Sequence, residues 1–326
     1  MKTIILFLVF CLSLLISCDT STGPSGNNAW ILQRDKQDDI TYYSIFFSDR
    51  SHGWICGYNG TIKNTVDGGK TWLPQQSGVT ANLWDISFIN NLLGWICGAD
   101  NTILKTYDGG RTWNNISPFS DVDQIYVSVK FTDGNNGWIS SNSGRILRTT
   151  DGGISWSVKK SGLIGGSYFS VLDANTVYAL SGKFYKTLSG GGQWDSVQIP
   201  FPEGHLPAGI FFHDYNNGWI VVENLISSSM INEVPVFFTN DGGKTWAVSE
   251  MIKDGRLRCI YFINKNLGWI AGLQNIYRTK DGGKHWMPEF SPAGGFLSAK
   301  DICFVDENCG WIINRDGVIY KYTDRD

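Results

Sequence analysis

Apolar and polar residues alternate in short runs along most of this chain, and Gly, Asn and Asp separate the runs. Residues 84–116 show the rule. Trp84-Asp85-Ile86-Ser87-Phe88, Gly94-Trp95-Ile96-Cys97, Thr102-Ile103-Leu104-Lys105-Thr106 and Thr112-Trp113-Asn114-Asn115-Ile116 follow one another with turn residues between them. Period-two alternation bounded by turn formers predicts four short strands. The block then repeats. Gly-Trp followed by apolar residues recurs at Trp54, Trp95, Trp138, Trp219, Trp269 and Trp311, with a weakened copy at Val177-Tyr178, in steps of 41, 43, 40, 41, 50 and 42 residues. A second signature, T-x-D-G-G-x-T-W, occupies residues 65–72, 106–113, 149–156, 239–246 and 279–286, and a worn copy at 187–194 has Ser189 in the Asp position. Four strands in a period near 42 residues is the arithmetic of a propeller blade.

The two ends of the repeat complement each other. The last unit runs through Val318-Ile319-Tyr320-Lys321 without its Thr-Trp strand, and Ala29-Trp30-Ile31-Leu32-Gln33 matches that strand as it stands at Thr71-Trp72-Leu73-Pro74-Gln75. The expected fold is therefore all-β: a seven-bladed β-propeller of four-stranded blades over residues 29–326, its last blade closed by the N-terminal strand. Closure removes the exposed sheet edges that invite aggregation.

The segment before the repeats reads differently. Lys2 is followed by an apolar run from Ile4 to Ile16, too short to span a bilayer as a helix and flanked like a secretory signal. It ends Leu15-Ile16-Ser17-Cys18, which resembles the bacterial lipobox. By that resemblance residues 1–17 are a signal peptide, Cys18 carries a lipid, and the polar stretch 18–28 tethers the domain. An ordinary signal peptide with a chance Cys is the alternative. The expected location is the bacterial cell envelope, with membrane contact through the lipid alone.

Composition narrows the function. Of 326 residues 42% are hydrophobic and 17% charged, with net charge -3, so neither a disordered chain nor a basic nucleic-acid binder is expected. Beyond Cys18 the chain keeps Cys56, Cys97, Cys259, Cys303 and Cys309, an odd number at irregular spacing that does not form a disulfide framework. Cys56 and Cys97 share one repeat position and read as buried filler. A Cys303–Cys309 pair is left open. His52, His205, His213 and His285 show no metal-ligand spacing, no G-x-S-x-G elbow is present, and Gly69-Lys70-Thr71 lacks the earlier glycine of a phosphate loop. No catalytic residue, metal or cofactor is expected.

The motif G-x-I-x-[RK]-T-x-D-G-G-x-T-W, as in Gly144-Arg145-Ile146-Leu147-Arg148-Thr149-Thr150-Asp151-Gly152-Gly153 closing at Trp156, resembles the Asp-box of bacterial-neuraminidase-type repeats. With the seven-fold count it resembles the photosystem II assembly/stability factor-like propellers. The resemblance implies a non-enzymatic, protein-binding assembly scaffold. Asp-box blades also occur in sialidases and xyloglucan-type hydrolases, which keeps a glycan-binding or glycoside-hydrolase-like reading as the alternative. Asp67, Asp108, Asp151, Asp241 and Asp281 read as turn-builders rather than catalytic acids.

Blade topology puts the turns between first and second strands, with the Asp-box turns, on one face. The links between blades and the turns from second to third strand lie on the other, more variable face, where binding residues are expected. Of the 14 Trp, 13 belong to the two signatures; the remaining Trp84 starts a first strand. The candidate rim is Tyr43, Trp84, Asp85, Tyr126, Tyr168, Arg258, Lys300 and Asp301, with Val127 and Ala208 at equivalent positions. Packing between blades is the competing role for Trp84. Residues 223–236 account for the longest step, and Leu225, Ile226, Met230 and Ile231 make them a candidate partner loop or, alternatively, a lid. Lys105, Arg148, Lys186, Arg278 and Lys321 precede the Asp-box Thr or its equivalent and read as a solvated rim. The expected partner is an unidentified envelope protein or complex, or a glycan, and no nucleic acid.

Overall fold

The computed structural model describes residues 30–34, 40–117, 124–164, 168–224, 233–254 and 256–323. Seven four-stranded antiparallel sheets follow one another along the chain. Blade one comprises Tyr42–Phe47, Gly53–Gly57, Ile62–Thr65 and Leu73–Gln75, from the central axis outward. Blades two to six repeat this order, starting at Leu83, Tyr126, Tyr168, His205 and Leu257. Blade seven takes Ala299–Asp306, Cys309–Asn314 and Ile319–Thr323 from the end of the chain and Trp30–Arg34 from its beginning. The closing strand pairs antiparallel, Trp30 opposite Tyr322 and Arg34 opposite Ile319. The closing strand thus starts at the Asp-box face and ends at the opposite face.

The core lies between blades. Five of the six Gly-Trp tryptophans stack flat on a phenylalanine at the end of the next blade's first strand: Trp54 on Phe88 at 3.7 Å between ring centroids, Trp95 on Phe131 at 3.6 Å, Trp219 on Phe262 at 3.5 Å, Trp269 on Phe304 at 3.9 Å, and Trp311 back onto Phe47 at 3.4 Å. Tyr178 does the same on Phe212 at 3.6 Å. The glycine before each tryptophan now has its reason. A Cβ on Gly53 or Gly94 would stand 2.5 Å from the ring of Phe47 or Phe88, so the phenylalanine lies on bare backbone with the neighbour's indole above it. Blade four is the control built into the chain. Val171 replaces the phenylalanine, its cross-strand partner is Val177, and the glycine is gone because no ring needs the space.

Polar contacts lock the same seam. Trp54, Trp95 and Trp311 donate their indole N–H to the carbonyls of Gly109, Gly152 and Gly68 in the next Asp-box turn, at 2.9 to 3.1 Å. The basic residue before the Asp-box Thr reaches the same carbonyl, with Lys105 Nζ on Gly152 O at 2.8 Å and Lys321 Nζ on Gly68 O at 3.4 Å. These cations are inter-blade staples, not a solvated rim: Lys105 is buried, and its ammonium sits 5.0 Å from the Trp95 ring centre. Blade seven has no Asp-box turn, because its third and outer strands are not consecutive in the chain. Glu289 stands in for the missing carbonyl. Its carboxylate accepts Trp269 Nε1 at 2.9 Å, Trp30 Nε1 at 3.0 Å and Arg278 at 3.2 Å, pinning the closing strand to blade six. All five cysteines of the domain are free and buried, which settles the Cys303–Cys309 alternative in favour of two thiols.

Two outcomes follow. Gly94→Ala should lower unfolding stability by about 1–3 kcal/mol through overpacking against Phe88, and adding Phe88→Val should recover part of that loss, as measured by urea denaturation. Glu289→Ala should cost about 3 kcal/mol by stranding Arg278 and two indole donors, and should expose Trp30–Arg34 to limited proteolysis before any other strand.

Candidate functional site

The first strands of the seven blades surround a cavity of about 730 Å³ lined along their whole length, and at the end opposite the Asp-box turns its mouth is rimmed by Tyr43, Trp84, Tyr168, Arg258 and Lys300. What points into its mouth is decided by β-bulges. In six blades the pairing of first and second strands slips by one residue near this end: between Tyr42 and Ser44, Leu83 and Asp85, Tyr126 and Ser128, Pro207 and Gly209, Leu257 and Cys259, and Ala299 and Asp301. The extra residues are Tyr43, Trp84, Val127, Ala208, Arg258 and Lys300, and all but Ala208 are partly exposed; blade four pairs without a slip and presents Tyr168. A bulge re-aims one side chain without disturbing the ladder beside it.

That geometry corrects one rim residue. Tyr126 does not face the cavity. It is buried between blades at the repeat position of Tyr42 and Leu83, and Val127 faces the mouth in its place. The one-residue difference between core and cavity is the bulge itself.

The mouth is aromatic on one side and cationic on another. Tyr43 and Trp84 stack at 4.3 Å, and Lys300 Nζ lies 5.7 Å from the Tyr43 ring centre. Burial, together with the charges of Arg258 and Arg315, pushes the Lys300 ammonium down from its usual value, and burial pushes the Tyr168 and Tyr43 hydroxyls up. Among the described residues neither Arg258, Lys300 nor Arg315 has an ion-pair partner, and the buried Trp84 Nε1 and Arg258 Nε have no hydrogen-bond acceptor. Buried donors without partners at an open cavity are what a bound ligand satisfies.

Below the mouth lies a polar relay across four blades. Asp301 and Asp85 occupy the same repeat position as Ser44 and Ser128. Asp301 accepts the amides of Ile302 and Ile45 at 2.8 and 3.0 Å. Asp85 accepts the amides of Ile86 and Val129, the Ser128 hydroxyl at 2.5 Å and the Lys130 ammonium at 3.1 Å. Ser44 Oγ sits between the two carboxyls, 2.7 Å from Asp301 and 3.0 Å from Asp85. A hydroxyl has one proton and cannot donate to both. The chain is satisfied when Asp301 keeps a proton and donates it to Ser44, which donates to Asp85. Burial, with the Asp85 charge behind it, pushes the Asp301 carboxyl up to about 6, in keeping with that arrangement. Burial opposes the charge of Lys130, but Asp85 and Asp301 outweigh it and hold the ammonium above its usual value. Both carboxyls are therefore committed to backbone amides and to each other.

The Asp-box acids face the opposite side. Asp67 accepts the Thr65 hydroxyl, the Thr71 amide and the Thr71 hydroxyl at 2.7 to 2.9 Å, all within its own turn, and Asp108, Asp151, Asp241 and Asp281 repeat the pattern. The Ser155 hydroxyl and amide hold the Asp151 carboxyl down at about 2; for Asp67, Asp241 and Asp281 such bonds outweigh burial and give about 2 as well. The candidate partner residues Leu225, Ile226, Met230 and Ile231, and the lipidation residue Cys18, lie outside the described residues. The far end of that loop is described: Glu233–Val234 pairs with Ile252–Lys253. No group of three or more metal-ligating side chains occurs among the described residues.

Ser44, Ser128, Lys130 and Arg315 were absent from the candidates. The serines carry a signal in retrospect, since aligned repeats set them beside Asp85 and Asp301, whereas Arg315 stands in a turn with no repeat signature. The raised Asp301 carboxyl has a signed consequence. Its stabilising proton is fully in place below pH 4 and is lost as pH rises through 6, so folding stability attributable to this group falls between pH 4 and 6. Urea midpoints of wild type and Asp301→Asn across that window should show the fall in wild type and a flatter curve in the variant.

Comparison with known proteins places this architecture. The sequence profile of the family "Photosynthesis system II assembly factor YCF48" matches residues 25–117, 74–197 and 186–291, which together span most of the chain. A solved structure of YCF48 bound to D1 peptide is similar at a TM-score of 0.73 and 23% identity over 91% of this chain and 98% of that one. YCF48 from Cyanidioschyzon merolae follows at 0.72 and 22% over 90% and 98%, and virginiamycin B lyase from Staphylococcus aureus at 0.71 and 17% over 91% and 98%. Among curated relatives, a photosystem II assembly protein Ycf48 of Thermosynechococcus vestitus is 49% identical over 35 residues, and a vacuolar protein sorting/targeting protein 10 of Laccaria bicolor 26% identical over 135. The matches cover 11% and 40% of this chain and only 10% and 8% of those relatives. The chain belongs to the YCF48 family of photosystem II assembly factor-like Asp-box propellers.

Proposed function

We propose that this protein is a non-catalytic scaffold that captures a polypeptide segment of an envelope protein or complex at the channel mouth, while a lipid on Cys18 holds it at the cell envelope. The observation that carries the reading is the cluster of Tyr43, Trp84 and Tyr168, the first two on bulges, beside Arg258, Lys300 and Arg315, which have no ion-pair partner among the described residues. Stacked aromatics supply contact area at small entropic cost, and desolvated cations select an acidic segment or a chain-terminal carboxylate. The family and a similar structure that contains a D1 peptide support a polypeptide ligand. Against catalysis stands the commitment of Asp85 and Asp301 to main-chain amides, which leaves neither free as acid or nucleophile. Residues 223–236 are proposed as a second contact on sequence grounds. A glycan is the second reading, favoured by the partly exposed aromatic pair of Tyr43 and Trp84.

Crosslinking in native cells tests the reading. Tagged wild type should recover a defined protein that Trp84→Ala and Arg258→Glu each lose, with melting temperatures within a few degrees of wild type because both residues lie outside the inter-blade core. Equal recovery by all three proteins overturns it, and polysaccharide retention that Trp84→Ala abolishes would put the glycan first.

A further inference from the structure

The position of Trp30 fixes more than ring closure. Because Trp30 pairs with Tyr322 at the end of the last third strand, the closing strand starts at the Asp-box face. Residues 18–29 number twelve, so a lipid on Cys18 lies within about 40 Å of that face even with the stretch fully extended. We infer that the Asp-box face is a membrane-contacting surface, resting on the lipid headgroup layer with the channel mouth turned away from the bilayer. The inference rests on the lipid anchor proposed above.

The turn tips suit that occupant. Val66, Tyr107 and Leu188 stand at one repeat position, directly after the Asp-box Thr, and are 58%, 63% and 57% exposed. Ile154, at another tip, is 80% exposed, and Leu92 and Tyr215 add apolar side chains from the adjoining turns of the same face. Exposed Lys70, Arg111, Lys244 and Lys284 occupy the tip position that Ile154 holds in blade three. Apolar side chains interleaved with long cations are the composition of an interfacial surface, the stems lying in the headgroup region and the charges at its outer edge. Acids share this face, the Asp-box carboxylates and Asp49, Asp133 and Asp214 of the adjoining turns, and each accepts hydrogen bonds from its own turn. Exposed apolar residues also occur on the mouth face, Tyr58 and Phe296 among them, so the point of chain attachment decides the orientation.

The test uses the full mature chain, acylated at Cys18, in phosphatidylethanolamine–phosphatidylglycerol vesicles that contain nitroxide-labelled lipid. The five native thiols are buried, which leaves a single introduced cysteine for a fluorophore. A probe at Ile154→Cys should be quenched several-fold more than one at Tyr58→Cys, and combining Val66→Ser with Tyr107→Ser and Leu188→Ser should abolish the difference. Equal quenching, or stronger quenching at Tyr58→Cys, overturns the proposal. Mass analysis of the N-terminal peptide from native membranes tests the anchor separately. A chain joined at residue 18 to a synthetic lipopeptide repeats the quenching measurement whatever that analysis finds. Loss of the native lipid with Ile154→Cys still quenched would thus sink the anchor and keep the surface.

Discussion

A phenylalanine ring held between a bare glycine of its own blade and the preceding blade's tryptophan sets the spacing of this molecule. The ring can approach its own sheet closely only where the opposing residue has no Cβ, and the indole above it then defines how near the neighbouring blade comes. Aromatic stacks of this kind add about 0.5–1.5 kcal/mol each beyond the area they bury. Six such seams around a ring allow little freedom to any one blade. The fourth blade shows that the two residues act as one device, since phenylalanine and glycine are replaced together by Val171 and Val177.

That rigidity explains how a repetitive ring carries an irregular mouth. The bulged residue of each first strand is an extra one, without a partner in the ladder and without a place in the inter-blade core. It can be Trp84 in one blade, Ala208 in another and Arg258 in a third without changing the packing on either side. Fold and binding chemistry are thus written at neighbouring positions that do not interfere, which is why similar propellers serve unrelated ends.

The blade count, the strand order and the closing strand were all legible in the sequence, because a 42-residue period and a matched pair of incomplete ends leave one way to close the ring. The mouth was legible only to within one residue. Tyr126 and Val127 are neighbours of similar apolar character, and a bulge, which alternation does not reveal, decides which faces the cavity. Lys105 and its counterparts read as solvated because their partner is a backbone carbonyl in the next repeat, a contact that spacing within one repeat cannot show. The Ser44 link between Asp85 and Asp301 stayed hidden for the same reason, as it crosses two blade boundaries.

Closure through Glu289 also orders events in time. The carboxylate that clasps Trp30 lies 259 residues further along, and the strand that pairs with Trp30 comes later still. The first strand to be made must therefore wait for the last, and until they meet, the outer edge of the seventh blade stays open to any other strand in solution. On a chain synthesised N-terminus first, the ring stays unlocked until its last strand has left the ribosome.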